Sequence, residues 1–131
     1  MAGHGKAVQD ELREPARRLR QAIPAVYQAY AGLHGAAMGP GALDPATKEL
    51  IALAIAVTRQ CDGCIASHAR GAARHGATAD QVAEAIGVAI MMNGGPGTVY
   101  GPRAFDAFLE YAGAGGIGEA GPSPVPHEHR D

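Results

Sequence analysis

The stretch ELIALAIAVTRQCDGCIASH, residues 49–68, joins the most apolar segment of the chain to its only two cysteines. The run LIALAIAV (50–57) is apolar on nearly every side of a helix, which predicts a central, buried helix. Asp44-Pro45 is typical of an N-cap followed by proline at the first helical position. We therefore expect this helix to run from Pro45 to about Arg59. The apolar run is too short to cross a bilayer, which takes roughly 20 residues.

The remainder of the chain also has helical periodicity, with no alternating strand pattern and no internal repeat. Thr78 and Gln81 have the spacing of a capping box, which predicts a helix start. Five further helices are expected. The first two are Glu11–Gln21, with Pro15 in its first turn, and a helix from Pro24 to the loop MGPGAL (38–43). The other three are Cys61–Arg74 with His75-Gly76 as its stop, a helix from Thr78 to the break at Asn93, and Val99–Tyr111, whose start Gly101-Pro102 could delay.

The composition predicts one all-α domain of about six helices. The chain has 131 residues, of which 47% are hydrophobic but only 5% aromatic. Helices rich in small side chains bury little apolar area each, so we expect oligomerisation through helix packing to add burial. We place the helical domain at 1–112 and a flexible Gly/Pro-rich tail at 113–131. Met91 and Met92 are expected in the core.

The low net charge and the polar N-terminal residues argue against nucleic-acid-binding, membrane and secreted proteins. The net charge is −2 and the N-terminal residues form no apolar signal segment. We therefore expect no nucleic-acid partner, no membrane association and a cytoplasmic location.

The two cysteines have the spacing of a reactive dithiol. On a helix, Cys61, Cys64 and His68 project within a sector of about 60°. A helix N-terminus and a nearby imidazole both favour the thiolate, and cysteines at this spacing also close disulfides. Glu49, at the start of the apolar helix, is either an exposed first-turn acid or a buried carboxylate with a partner.

Two other interpretations of the cysteines are weaker. A zinc site needs four ligands, and His68 and His75 lie on the same predicted helix as the cysteines, so the four could hardly converge. We expect no metal, and we place His34 and His75 at the surface. A purely structural disulfide over so short a loop would restrain the unfolded chain very little.

The spacing E-x11-C-x2-C-x3-H, formed by Glu49, Cys61, Cys64 and His68, resembles the signature of the AhpD-like alkyl hydroperoxidases. These enzymes are part of the carboxymuconolactone decarboxylase-like superfamily. The resemblance extends over residues 44–111 and includes ARHGATADQVAEAIGVA (73–89) and the break GGPG (94–97).

This resemblance implies an all-helical homotrimer or homohexamer with peroxidase or disulfide oxidoreductase activity. Cys64 would attack an alkyl hydroperoxide, Cys61 would resolve the sulfenic acid to a disulfide, His68 would move protons, and Glu49 would orient His68. The redox-active disulfide would replace any cofactor, and an unknown dithiol or protein reductant would supply electrons.

The sequence also departs from the better-known alkyl hydroperoxidases. They have a second histidine between the cysteines, whereas this chain has Asp62-Gly63, and an acid there disfavours a thiolate unless it faces away. The chain is also shorter than the two-repeat members, so a generic reductant fits better than a lipoamide-linked partner. Two alternatives stay open: a cofactor-free carboxymuconolactone decarboxylase, of a kind that generally lacks the dithiol, and a non-catalytic, redox-sensing helical oligomer.

Overall fold

Six α-helices form the part of the chain that the computed structural model describes, residues 3–113. The helices are α1 (Lys6–Ala22), α2 (Pro24–Met38), α3 (Pro45–Thr58), α4 (Asp62–Arg74), α5 (Ala79–Asn93) and α6 (Gly95–Gly113). No strand occurs among these residues, and the prediction of an all-α fold with about six helices is confirmed. The tail predicted at 113–131 lies outside the described residues, except for Gly113 at the end of α6.

Helices α3 to α6 pack around one core. Its largest fully buried side chains are Phe108, Leu53, Ile65, Val57 and Val82, and most of its other members are alanines. Small side chains let the helix backbones approach closely. A Cβ atom on Gly97 would lie 2.9 Å from the backbone of Ile90, and one on Gly101 would lie 2.8 Å from Ile86. The α5–α6 contact therefore depends on two glycines of α6.

Local capping signals set the starts of two core helices. Asp44 caps α3 by accepting the Thr47 N–H at 2.7 Å, and this bond lowers the pKa of the Asp44 carboxyl. Thr78 and Gln81 form both hydrogen bonds of the predicted capping box at the start of α5. Both predicted helix starts are confirmed, because each cap is satisfied within one turn of the chain.

Two helices begin earlier than the sequence predicts. Helix α1 starts at Lys6, so that Pro15 lies inside the helix. Two bonds to α6 hold its first turns in place: the Gly5 N–H donates to Glu110 Oε2 at 2.8 Å, and Tyr111 Oη donates to Gln9 Oε1 at 2.5 Å. Helix α6 starts at Gly95 and continues through Pro102, so Gly101-Pro102 does not delay it. In both helices tertiary contacts outweigh the local effect of proline.

Apolar side chains stay exposed on several helices. The predicted central helix α3 packs on α4, α5 and α6, but it is buried on one side only, because Ile51 and Ile55 on its other side are exposed. Met91 and Met92 are 70% and 74% exposed, which corrects their assignment to the core. Helix α2 has no buried residue at all. Within residues 3–113, no helix has the length and apolar character needed to span a membrane.

Candidate active site

The two cysteines form a disulfide at the N-terminus of α4. Their Cα atoms are 5.2 Å apart. Helix α4 starts at Asp62, one residue later than predicted, and Cys61 is its N-cap with an extended backbone. The Cys61 sulfur accepts the Cys64 N–H at 3.2 Å. Cys61 therefore lies before the helix, whereas Cys64 and His68 remain one turn apart on α4. Cys64 is exposed and Cys61 is partly buried.

Glu49 points inward and pairs with His68. The Glu49 Oε2 atom lies 2.8 Å from His68 Nδ1, and Glu49 is only 7% exposed. Of the two arrangements that the sequence leaves open for Glu49, the structure has the buried one, with a partner. An ionised carboxylate can only accept hydrogen bonds, so the His68 tautomer that donates to Glu49 carries its proton on Nδ1. The other ring nitrogen, Nε2, is then free to accept a proton.

Gly71 makes room for this pair. It lies three residues after His68 on α4, and a Cβ atom at this position would stand 2.4 Å from Cδ of Glu49 and 2.5 Å from both carboxylate oxygens. The Glu49 carboxylate therefore occupies the space that any other residue at position 71 would fill. No motif in the sequence predicts this role, although a glycine inside the alanine-rich helix ASHARGAA (66–73) is a local signal of close approach.

A second histidine stacks on His68. The rings of His34 and His68 are inclined by 17°, with centroids 6.2 Å apart. His34 is exposed, as the sequence predicts, but the sequence does not predict its position beside His68. Lys48 holds the end of α2 near α3, because its Nζ donates to the carbonyls of Ala37 at 2.9 Å and Gly39 at 2.6 Å. No local spacing links residues so far apart in the sequence.

The acid between the cysteines has a cationic partner. Asp62 Oδ1 lies 3.5 Å from Arg103 Nη1 of α6, and both side chains are partly exposed. The Arg103 guanidinium also lies 4.5 Å from the centroid of the Tyr100 ring. These contacts hold a positive charge beside Asp62 and offset its repulsion of a nearby thiolate.

An open cleft of about 440 Å³ leads to the disulfide. Aliphatic side chains of α3 form much of its wall. Its lining residues are Ala52, Ile55, Ala56, Arg59, Cys61, Cys64 and His68. Three of the four residues predicted for the site line the cleft, and the fourth, Glu49, reaches it through its hydrogen bond to His68. Among residues 3–113 there is no group of three or more side chains placed to hold a metal ion.

The chemical capacity of this arrangement is that of a redox dithiol with an adjacent proton carrier. The sulfurs lie at a helix N-terminus, where the N–H groups and the helix dipole favour the thiolate. His68 shares their cleft and has one ring nitrogen engaged by Glu49. A sulfur nucleophile and an oriented imidazole are the usual parts of covalent thiol catalysis.

Comparison with known proteins identifies the family. The family model described as carboxymuconolactone decarboxylase matches residues 24–110. The chain belongs to the carboxymuconolactone decarboxylase family. The matched region of this family member spans α2 to nearly the end of α6, so α1 precedes it. The resemblance to AhpD-like proteins of this superfamily, inferred from the dithiol motif, is confirmed at the level of the family.

Relatives of this family member occur in several bacteria. An uncharacterised protein of Cupriavidus necator is 43% identical over 98 residues, which cover 75% of this chain and 87% of the relative. Uncharacterized protein 4 in the cox locus of Paracoccus denitrificans is 42% identical over 86 residues, which cover 66% and 78%. The crystal structure of an apo carboxymuconolactone decarboxylase family protein from Legionella pneumophila superimposes with a TM-score of 0.77 at 36% identity, covering 80% of this chain and 94% of that one.

Proposed function

We propose that this family member is a thiol-dependent peroxidase that reduces alkyl hydroperoxides and is itself regenerated by thiol–disulfide exchange. The observation that carries the proposal is a Cys61–Cys64 disulfide in an open cleft, beside a histidine whose Nδ1 is bound by a buried glutamate. The disulfide is the oxidised product that such a cycle leaves on the enzyme.

The cycle starts with attack of the Cys64 thiolate on the terminal oxygen of the hydroperoxide. The O–O bond breaks, Cys64 becomes a sulfenic acid, and the alkoxide takes a proton to leave as an alcohol. The Cys61 thiol then attacks the Cys64 sulfur, a water molecule leaves, and the disulfide forms. Two electrons and two protons from a dithiol or a protein reductant restore the two thiols. The exposure of Cys64 supports its role as the attacking sulfur.

His68 and Glu49 act on the protons of this cycle. With Nδ1 bound to Glu49, the free Nε2 takes the proton from the attacking thiol and returns it to the leaving alkoxide. Glu49 orients the ring and stabilises the imidazolium that forms between these two steps. In this role Glu49 is a positioning residue, because its contact is with His68.

The proposed enzyme is a homotrimer or homohexamer. Exposed apolar side chains of α2 and α5 support this assembly, because a monomer rarely leaves large contiguous apolar patches in water. The side chains of Val26, Tyr30 and Leu33 recur at the spacing that places them on one face of α2. Association of these faces would add the burial that alanine-rich helices lack within one subunit.

The decisive experiment measures consumption of tert-butyl hydroperoxide with dithiothreitol as the reductant. We expect turnover by the unmodified protein, none after Cys64→Ser, and a rate about 100-fold lower after His68→Asn, since general acid–base catalysis contributes on that order. His75→Asn is the matched control, because His75 ends the same helix and is exposed. It should leave the rate unchanged.

Two results would replace this proposal. One oxidation event per subunit, with no further hydroperoxide consumed in excess dithiothreitol, would identify a redox sensor. Decarboxylation of carboxymuconolactone that is insensitive to Cys61→Ser and Cys64→Ser would identify a cofactor-free decarboxylase.

A further inference from the structure

One wall of the cleft is apolar and is formed by α3. Ala52, Ile55 and Ala56 line the cleft from α3. Ala56 is buried in the core, but the Ile55 side chain is 55% exposed. An isoleucine that stays in water at the mouth of a cleft loses the free energy of burial unless something covers it. An apolar substrate body lying along α3 would cover Ile55.

A single unpaired cation stands at the end of this wall. Arg59 is the C-cap of α3, one turn after Ile55, and its side chain lines the same cleft. Among the described residues, no carboxylate lies within ion-pair distance of Arg59, whereas Arg103, also near the dithiol, is paired with Asp62. No acidic side chain of residues 3–113 lines the cleft. Within the described part of the chain, Arg59 is therefore the one lining residue of the cleft with a permanent charge.

We propose that the cleft selects anionic amphiphiles, namely organic hydroperoxides in which an apolar chain carries a carboxylate. The apolar part contacts Ile55, and the carboxylate binds the Arg59 guanidinium, whose planar fork matches it. One arginine balances one negative charge, which favours a carboxylate over a multiply charged group. The selectivity is a property of the cleft, and its use in catalysis rests on the peroxidase activity proposed above.

The reaction keeps the balance of that cycle. The hydroperoxide of the carboxylate loses its terminal oxygen to Cys64, the corresponding hydroxy acid and water are released, and both cysteines are oxidised to the disulfide. The carboxylate bound by Arg59 takes no part in the bond changes. It sets the position of the peroxide relative to the sulfurs, so Arg59 determines specificity.

A binding test separates this inference from catalysis. The oxidised protein is reduced with dithiothreitol in the presence of octanoate or of 1-octanol, and reduction is followed by alkylation and mass measurement. We expect octanoate to protect the disulfide at a concentration roughly fivefold lower than 1-octanol does, the factor that an exposed ion pair contributes at most. Arg59→Gln should remove this difference and Arg59→Lys should keep much of it. Arg18→Gln, at an exposed arginine of α1, should leave it unchanged.

A kinetic test then uses linoleic acid hydroperoxide and its methyl ester. In the unmodified protein, kcat/KM should be higher for linoleic acid hydroperoxide than for its methyl ester. Arg59→Gln should lower kcat/KM for the acid and leave that for the ester unchanged. Equal protection by octanoate and 1-octanol would overturn the inference, as would an acid preference that survives Arg59→Gln. A role of Arg59 confined to the end of α3 would change Tm without changing either preference. If the unmodified protein does not turn over tert-butyl hydroperoxide, the proposed peroxidase function is contradicted. The comparison of octanoate with 1-octanol would still decide whether the cleft selects anionic amphiphiles.

Discussion

Gly71 faces the buried carboxylate of Glu49 so closely that even a methyl group at position 71 displaces it. Glu49 cannot move without stretching its 2.8 Å contact with His68. We expect Gly71→Ala to lower the peroxidase rate at least tenfold and to destabilise the fold by about 1–3 kcal/mol, as overpacking of a core does. Steady-state rates and urea unfolding measure the two effects.

Gly87→Ala is the matched control for this substitution. Gly87 also lies inside a helix, α5, but a Cβ atom there would meet no atom of residues 3–113 within 4 Å. Alanine at this position should stabilise the protein by about 0.5–1 kcal/mol because it reduces the freedom of the unfolded chain. Equal effects of the two substitutions would show that Gly71 matters for helix propensity alone and not for the Glu49 carboxylate.

Arg103 pairs with Asp62, the acid that lies between the two cysteines. Removing the guanidinium leaves a carboxylate between the two cysteines, which disfavours the thiolate. We expect Arg103→Gln to slow alkylation of the reduced protein by iodoacetamide roughly threefold, the size of an exposed charge interaction. In the Asp62→Asn background the same change should have little effect. An equal slowing in both backgrounds would mean that Arg103 acts directly on the sulfurs.

At the scale of the helices, the cap of α3 makes stability depend on pH. Because the Thr47 N–H bond lowers the pKa of Asp44 in the folded state, the contribution of this carboxylate is present above the pKa of the unfolded chain and is lost as pH falls through the folded value. Asp44→Asn keeps a capping side chain without the charge. In urea unfolding from pH 6 down to about pH 2, the free energy of unfolding should therefore fall less in Asp44→Asn than in the unmodified protein. The same fall in the free energy of unfolding at low pH in both proteins would contradict the prediction.

The helix starts show which signals act locally. Asp44-Pro45 and the Thr78–Gln81 pair predict their helices correctly because each cap is closed by a neighbour three residues away. Helices α1 and α6 begin earlier than the sequence predicts, since the first turns of α1 are stabilised by α6 and α6 packs closely on α5. Proline statistics describe an isolated chain and do not include such contacts.

At the scale of the whole molecule, the exposed face of α2 predicts an oligomer interface. Helix α2 contributes no buried residue to its own subunit, and Leu33 is 65% exposed. We expect Leu33→Glu to shift the protein from an oligomer towards monomers without unfolding the subunit, because a charge in an apolar contact is poorly tolerated. Light scattering after size exclusion measures the mass, and circular dichroism reports the fold.

Gln28→Glu is the control for Leu33→Glu. It adds the same charge to the same helix, but at an exposed position on the side opposite Val26, Tyr30 and Leu33. The oligomer should survive this change. A monomeric unmodified protein, or equal dissociation by both substitutions, would contradict an interface at the apolar face of α2.

The sequence by itself determined the all-α class, two of the helix caps and the register of Glu49, Cys61, Cys64 and His68. These features depend on periodicity and on bonds between near neighbours, which a linear pattern contains. Only the tertiary structure decided that Glu49 turns inward to His68, 19 residues away, and that Arg103 reaches Asp62, 41 residues away. It also decided that His34 stacks on His68 and that Gly71 leaves space for a carboxylate. Such contacts arise from the way the helices cross and pack, and no spacing along the chain specifies that geometry.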